Sequence, residues 1–250
     1  MACQCCHVDV PAVGLVPMHS LANGARILHE DNHIIVAYKP PNMLSQGDET
    51  GDSNLLNIIK GDIAVRYNKP GKAFIGLVHR LDRPVGGLMV FARTSKAAAR
   101  LADQLRTRTL SRQYFAVVHG TAPPCAQLED YLLKDGKGMV RVVHAQTPGA
   151  QIARLSFTRM AAAGGYSLLC VQLQTGRQHQ IRVQLAHFGF SIVADARYGT
   201  MQKNVQIALW AGALAFVHPT SKQQLSFCLP PPECFPWNLF ETIPQNVPQP

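Results

Sequence analysis

The sequence predicts an α+β protein. Short apolar runs of strand length recur along the chain, each bounded by Gly, Pro or polar turn residues. Helical spacing of apolar residues is confined to the stretches around Leu55–Ala64, Ala98–Leu105 and Ile181–Phe188. Hydrophobic residues make up 47% and charged residues 16% of the 250 positions, enough apolar material for a sizeable core in one domain or two small ones.

Lys and Arg total 24 against 15 Asp and Glu, giving a formal charge of +9 and a pI near 9.4. That excess suits a polyanionic partner, nucleic acid above all. No apolar run is long enough to span a bilayer. The start, with Cys3-Gln4-Cys5-Cys6-His7, has neither the charged opening nor the apolar stretch of a signal peptide. The expected location is cytoplasmic, where thiols stay reduced. Of the seven cysteines, Cys125, Cys170, Cys228 and Cys234 are scattered and read as ordinary thiols. Cys3, Cys5, Cys6 and His7 are crowded, with no second ligand pair nearby, so no metal site is expected.

Taken in order, residues 1–24 lack periodicity and contain Pro11 and Pro17, which predicts a loosely packed leader. Ile27–Asp31 and Ile34–Tyr38 read as strands, the second ended by Lys39-Pro40-Pro41 because proline cannot donate to a ladder. A helix follows from about Ser53, its candidate cap, to Tyr67. The apolar runs Ile75–Val78 and Leu88–Phe91 then flank a turn rich in Arg, Pro and Gly, in which Asp82 stands between Arg80 and Arg83. Nearby cations favour the ionised carboxylate. On its own this pattern also fits a surface ion pair on a hairpin loop.

Thr94 or Ser95 caps the next helix, and Arg106, Arg108 and Arg112 cluster near its end. Such cations either complement the helix C-terminus or meet phosphate. Gln113–Val118, Val140–Val143, Ile152–Phe157 and Tyr166–Leu173 read as strands. A helix starts after Thr175-Gly176 and runs toward Phe188, with Arg177 and Arg182 near its start, a placement suited to an anion. Ala208–Ala211, Leu214–Thr220 and Leu225–Phe227 are the last apolar runs, with His218 as a turn residue. The tail from Pro230 is proline-rich and is expected to pack loosely.

His79-Arg80-Leu81-Asp82 with the Gly86-Gly87-Leu88 turn resembles the central motif of RNA pseudouridine synthases of the RluA family. Lys39-Pro40, the segment Arg112-Gln113-Tyr114, and Gly176-Arg177-Gln178-His179-Gln180-Ile181-Arg182 resemble its other motifs, in the same order. Asp195-Ala196-Arg197-Tyr198-Gly199 continues the likeness. The family commonly has Gly near Asn42, His near Gln46, His at Gln184 and Gly at Ala194, and this chain departs from it there.

The resemblance covers about Ile27 to Pro231 and implies a large mixed, mostly antiparallel sheet flanked by helices, with the site in a central cleft. It implies a catalytic domain over residues 25–231, between the leader 1–24 and the tail 232–250, without the additional N-terminal RNA-binding domain of many relatives. Asp82 becomes the catalytic residue, Tyr114 the side chain stacking on the target base, and Arg182 the partner of the aspartate. Arg80 would fill the space left by the flipped base. His79, Leu81, Arg83, Arg177, His179 and Gln180 become RNA contacts. No cofactor or metal is implied. The partner is ribosomal or transfer RNA, and a monomer is the default state. A catalytically inactive RNA-binding or RNA-folding factor is the competing reading, and a base-excising glycosylase on DNA a further one. An intact Asp82, Tyr114 and Arg182 count against an inactive binder, which has no need for them.

Overall fold

The computed structural model describes residues 19–68, 73–136 and 138–241. The Cys3–His7 cluster, the leader up to residue 18 and the tail beyond residue 241 lie outside the described residues. The chain forms two compact units, one of residues 19–112 and 211–230, the other of 113–210 and 231–241. The sequence carries no linker at the 112/113 or the 210/211 boundary. Its elements are a mostly antiparallel sheet framework with helices, the α+β class.

In the first unit, β1 (His19–Ser20) pairs with β2 (Arg26–Glu30), and β2 with β3 (Ile34–Lys39), all antiparallel. The turn between β2 and β3 is closed by the Asp31 carboxylate, which accepts from the backbone N–H groups of His33 (2.6 Å) and Ile34 (2.9 Å). Helix α1 (Leu55–Arg66) is capped by Asn54, whose side chain accepts from the N–H of Asn57 at 3.0 Å. The sequence reading put that cap one residue earlier, at Ser53. Strand β4 (Gly76–Leu77) is shorter than its apolar run and lies antiparallel to β5 (Gly86–Ala92). β5 also pairs with β3, from Ile34 opposite Ala92 to Lys39 opposite Gly87.

Helix α2 (Ser95–Arg106) starts on Thr94, whose hydroxyl accepts from the N–H of Ala97. Its apolar face packs Ala97 and Leu101 with Ile34, Val36, Leu88, Val90, Phe216 and Phe227, the core of this unit. Gln104 fixes the helix further. Its amide donates to the carbonyl of Val217 (2.7 Å) and accepts from the N–H of the same residue (2.9 Å).

The second unit holds the antiparallel set β6 (Ser111–His119), β10 (Tyr166–Leu173), β9 (Gln151–Ala163), β7 (Cys125–Lys134) and β8 (Val140–Val143), in that spatial order. Strand β7 is absent from the strands that the sequence pattern predicts. Its charged and polar residues Gln127, Glu129 and Asp130 mask the alternation that buries Leu128 and Leu132. Helix α3 (Gln180–His187) covers β7 and β8, with Val183 set among Leu132, Val140 and Ala153. Back in the first unit, β11 (Leu209–Val217) is one unbroken strand where the sequence suggests two, and β12 (Gln224–Cys228) is antiparallel to it. In the described part of the tail, Trp237 and Phe240 are buried and Phe235 meets Tyr166 edge-on, so aromatic rings anchor a proline-rich segment.

Candidate active site

Between β4 and β5 the chain has no regular structure, and the carboxylate of Asp82 depends on its neighbours for position. The turn is closed by the N–H of Val85 donating to the carbonyl of Asp82 at 3.0 Å. The last residue of β3 and the segment after it clasp the turn on both sides. Ser45 donates its hydroxyl proton to the carbonyl of Leu81 (2.8 Å) and accepts from the N–H of the same residue (3.0 Å). Lys39 has no exposed surface, and its ammonium donates to the carbonyls of Pro40 (3.0 Å), Met43 (2.7 Å) and Arg83 (3.1 Å). One clasp precedes Asp82 and the other follows it.

Three carbonyl acceptors match the three protons of an ammonium group. Burial draws the Lys39 ammonium down to about 7 from its ordinary range, the nearby Asp82 charge pulls it up, and Arg83 pulls it down. In the sequence Lys39 reads only as a strand exit and a motif residue. A lysine closing an apolar strand directly before Pro40-Pro41 is the available signal.

Around the same turn, Arg80 is exposed, Asp82 half-buried and Leu81 buried. Arg83 is exposed and pairs with Asp52 at 2.7 Å. His79 is buried, and its Nε2 accepts from the N–H of Val90 at 3.2 Å. Its pKa falls to about 3, first because burial excludes the charged ring and then because Arg112 is close.

In the second unit Tyr114 is buried on β6, opposite Val171 of β10. The turn into α3 is organised by Gln180, whose carbonyl oxygen accepts from the Thr175 hydroxyl (2.8 Å) and the Arg177 N–H (3.0 Å). Its amide donates to the carbonyl of Arg154 at 3.0 Å. Gln180 is buried, so these bonds give it a local structural task. Arg177 donates Nε to the carbonyl of Ile152 and is otherwise exposed. His179 takes a left-handed backbone conformation at the cap of α3, φ 55°, and its Nδ1 lies 2.8 Å from the Tyr198 hydroxyl.

Arg182 is held by Asp195 in a two-point pair, Nε to Oδ2 at 2.8 Å and Nη2 to Oδ1 at 2.7 Å. The Asp195 carboxylate also accepts from the N–H groups of Arg197 and Tyr198, and the Arg182 guanidinium lies over the Tyr198 ring. Burial alone would raise the Asp195 carboxyl, but Arg182 and the two N–H donors hold it below the usual carboxylate range. In the sequence Asp195 and Tyr198 read as motif residues without a role. The structure assigns both to the bracing of Arg182. Among the described residues no group of His, Cys, Asp and Glu side chains is arranged to hold a metal ion.

A family model described as RNA pseudouridylate synthase matches residues 33–187, which spans the Asp82 turn, β6 and α3. A ribosomal large subunit pseudouridine synthase D of Pseudomonas aeruginosa is 31% identical over 234 residues, covering 85% of this chain and 70% of that protein. An uncharacterised RNA pseudouridine synthase of Chloroflexus aurantiacus is 39% identical over 160 residues, 63% of this chain and 50% of that one. The chain therefore spans half the length of that relative. Among solved structures, the human RNA pseudouridylate synthase domain containing 4 superposes with a TM-score of 0.70 at 20% identity, covering 85% of this chain and 91% of that chain, and shares its fold. These matches define a pseudouridine synthase domain. The chain belongs to the RluA family of RNA pseudouridine synthases.

Proposed function

We propose that the protein isomerises uridine to pseudouridine in ribosomal or transfer RNA, with Asp82 as its catalytic residue. The observation that carries this reading is the double clasp on the Asp82 turn. A carboxylate whose flanking carbonyls are held by Ser45 and by a fully buried lysine is preorganised, and an exposed ion pair on a loop has no need of that.

The reaction breaks the N1–C1′ glycosidic bond, turns the base, forms a C5–C1′ bond and releases the proton from C5. A single carboxylate supports it, by attacking as a nucleophile or by removing a proton from the sugar. Glycoside hydrolysis would instead call on a matched pair of acids. The target uridine must leave its stack, at about a few kcal/mol, before Asp82 reaches it. Tyr114 stacking on the base, Arg80 entering the vacated space, and Arg182 pairing with Asp82 belong to the proposal, as do RNA contacts by Arg83, Arg177 and His179. Leu81 and Gln180, both buried, act by shaping the loops that carry those contacts. The proposal has the protein working as a monomer in the cytoplasm, without a cofactor.

The test is tritium release from RNA labelled at C5 of uridine, with ribosomal and transfer RNA assayed separately. Release that disappears in Asp82→Ala, with RNA binding retained, is the expected result. Full release by a folded Asp82→Ala variant would remove Asp82 from the role. RNA binding without release from either pool would favour the inactive RNA-binding factor.

A further inference from the structure

The three arginines near the end of α2 have separate fates. Arg106 pairs with Asp103 at 2.6 Å on the last turn of the helix. Arg108 adopts a left-handed backbone conformation, φ 63°, and its N–H returns to the carbonyl of Leu105, so it ends the helix. Arg112, at the start of β6, is half-buried, and its Nε is closed to solvent with no hydrogen-bond acceptor. Among the described residues it forms no ion pair.

His79 gives Arg112 no compensation. Because its Nε2 accepts the Val90 N–H, the proton of the neutral ring belongs on Nδ1, assigned from this bond. That Nδ1 is also buried without an acceptor. Two neighbouring N–H donors, one of them on a charged group, therefore lack an acceptor among the described residues. Buried polar groups are almost always satisfied, and a partly buried charge without a counter-ion is costly to maintain. A carboxylate at this place would have removed that cost. The arrangement suits an anion that arrives with a partner.

We propose that Arg112 receives a phosphodiester of the RNA strand near the target uridine, its guanidinium turning outward from beside a neutral His79. The inference rests on the functional reading above, and His79 lies three residues before Asp82 in the chain. RNA offers one phosphate per nucleotide, and a lone half-buried guanidinium can take it in a forked pair.

The experiment measures the dissociation constant of the full chain for labelled ribosomal and transfer RNA transcripts over a series of salt concentrations. The proteins compared are the unchanged chain, Arg112→Gln, Arg112→Lys and Arg106→Gln. Arg112→Gln should bind about tenfold more weakly and lower the slope of log affinity against log salt by about one, while Arg112→Lys keeps that slope. Arg106→Gln, already neutralised by Asp103, should change neither. Unaltered affinity and slope in Arg112→Gln would overturn the proposal. So would equal weakening in both Arg112 variants at an unchanged slope, which marks a purely structural role. Failure of the functional reading is distinct, since it appears as absence of Asp82-dependent tritium release by the unchanged chain. If the unchanged chain binds neither RNA, this proposal falls together with that reading.

Discussion

The ammonium of Lys39 donates to the carbonyl of Arg83 at 3.1 Å, joining the end of β3 to the residue after Asp82. The same nitrogen holds Pro40 and Met43, so one side chain ties three backbone carbonyls together inside the protein. Replacing it by methionine keeps much of the volume and deletes all three donors. Because each buried acceptor left unmatched costs about 1–3 kcal/mol and such losses do not add, Lys39→Met should lower unfolding stability by about 2–3 kcal/mol. Turnover should fall more than RNA affinity, because the Asp82 turn loses one of its two clasps. Denaturant unfolding alongside steady-state tritium release checks this, and wild-type turnover in the variant would refute the clasp.

The central motif was legible because its neighbours are local. His79, Asp82 and the Gly86-Gly87 turn are read directly from order and spacing, and so were the strands rich in β-branched and aromatic residues. What escaped depends on distance along the chain. Ser45 reaches Leu81 across 36 residues, and Asp195 reaches Arg182 across 13, and neither pairing leaves a periodic mark in the sequence. Strand β7 escaped for another reason. Its exposed face carries Glu129 paired with Arg154, and that charge hides the short alternation of buried leucines.

His79 predicts a pH dependence. Its folded pKa, about 3, lies below the ordinary value of 6.5, so the unfolded chain takes up a proton that the folded protein refuses. This group therefore stabilises the fold fully above pH 6.5, and its contribution drains away as the pH falls toward 3. The slope approaches about 1.4 kcal/mol per pH unit for one proton. His79→Gln, whose amide oxygen can still accept from Val90, should be less stable than wild type at pH 7, with the gap narrowing between pH 6.5 and 5. Urea unfolding at a series of pH values measures it, and a constant gap would mean that His79 does not titrate on unfolding.

Asp195 predicts a loss of a different kind. Its side chain has no exposed surface and that of Arg182 is 7% exposed, so removing the carboxylate charge takes the two-point anchor from a buried guanidinium. Breaking one side of such a pair is strongly destabilising, and Asp195→Asn should lower stability by about 3–5 kcal/mol. The amide keeps the shape and one oxygen for the Arg197 and Tyr198 N–H groups, which isolates the charge as the cause. Where the variant remains folded, the maximal rate of tritium release should drop with little change in RNA affinity. A stability within about 1 kcal/mol of wild type would show that the pair is dispensable, as many exposed pairs are.

Gly87 tests how closely the catalytic motif is packed. It has φ 128°, and a Cβ there would stand 2.3 Å from the carbonyl oxygen of Ala211. Neither the backbone conformation nor the contact tolerates alanine, because the obstacle is main chain on β11, which cannot rotate aside. Strain and overpacking together should make Gly87→Ala destabilising by about 3 kcal/mol or more. Gly165 is the control, with φ 81° and open space around its Cβ position, so Gly165→Ala carries the conformational penalty alone, about 1 kcal/mol. Thermal and urea unfolding of the two variants should separate them by at least about 2 kcal/mol. Equal effects would mean that β5 can move off β11, and the turn bearing Asp82 would then be less firmly seated than its clasps imply.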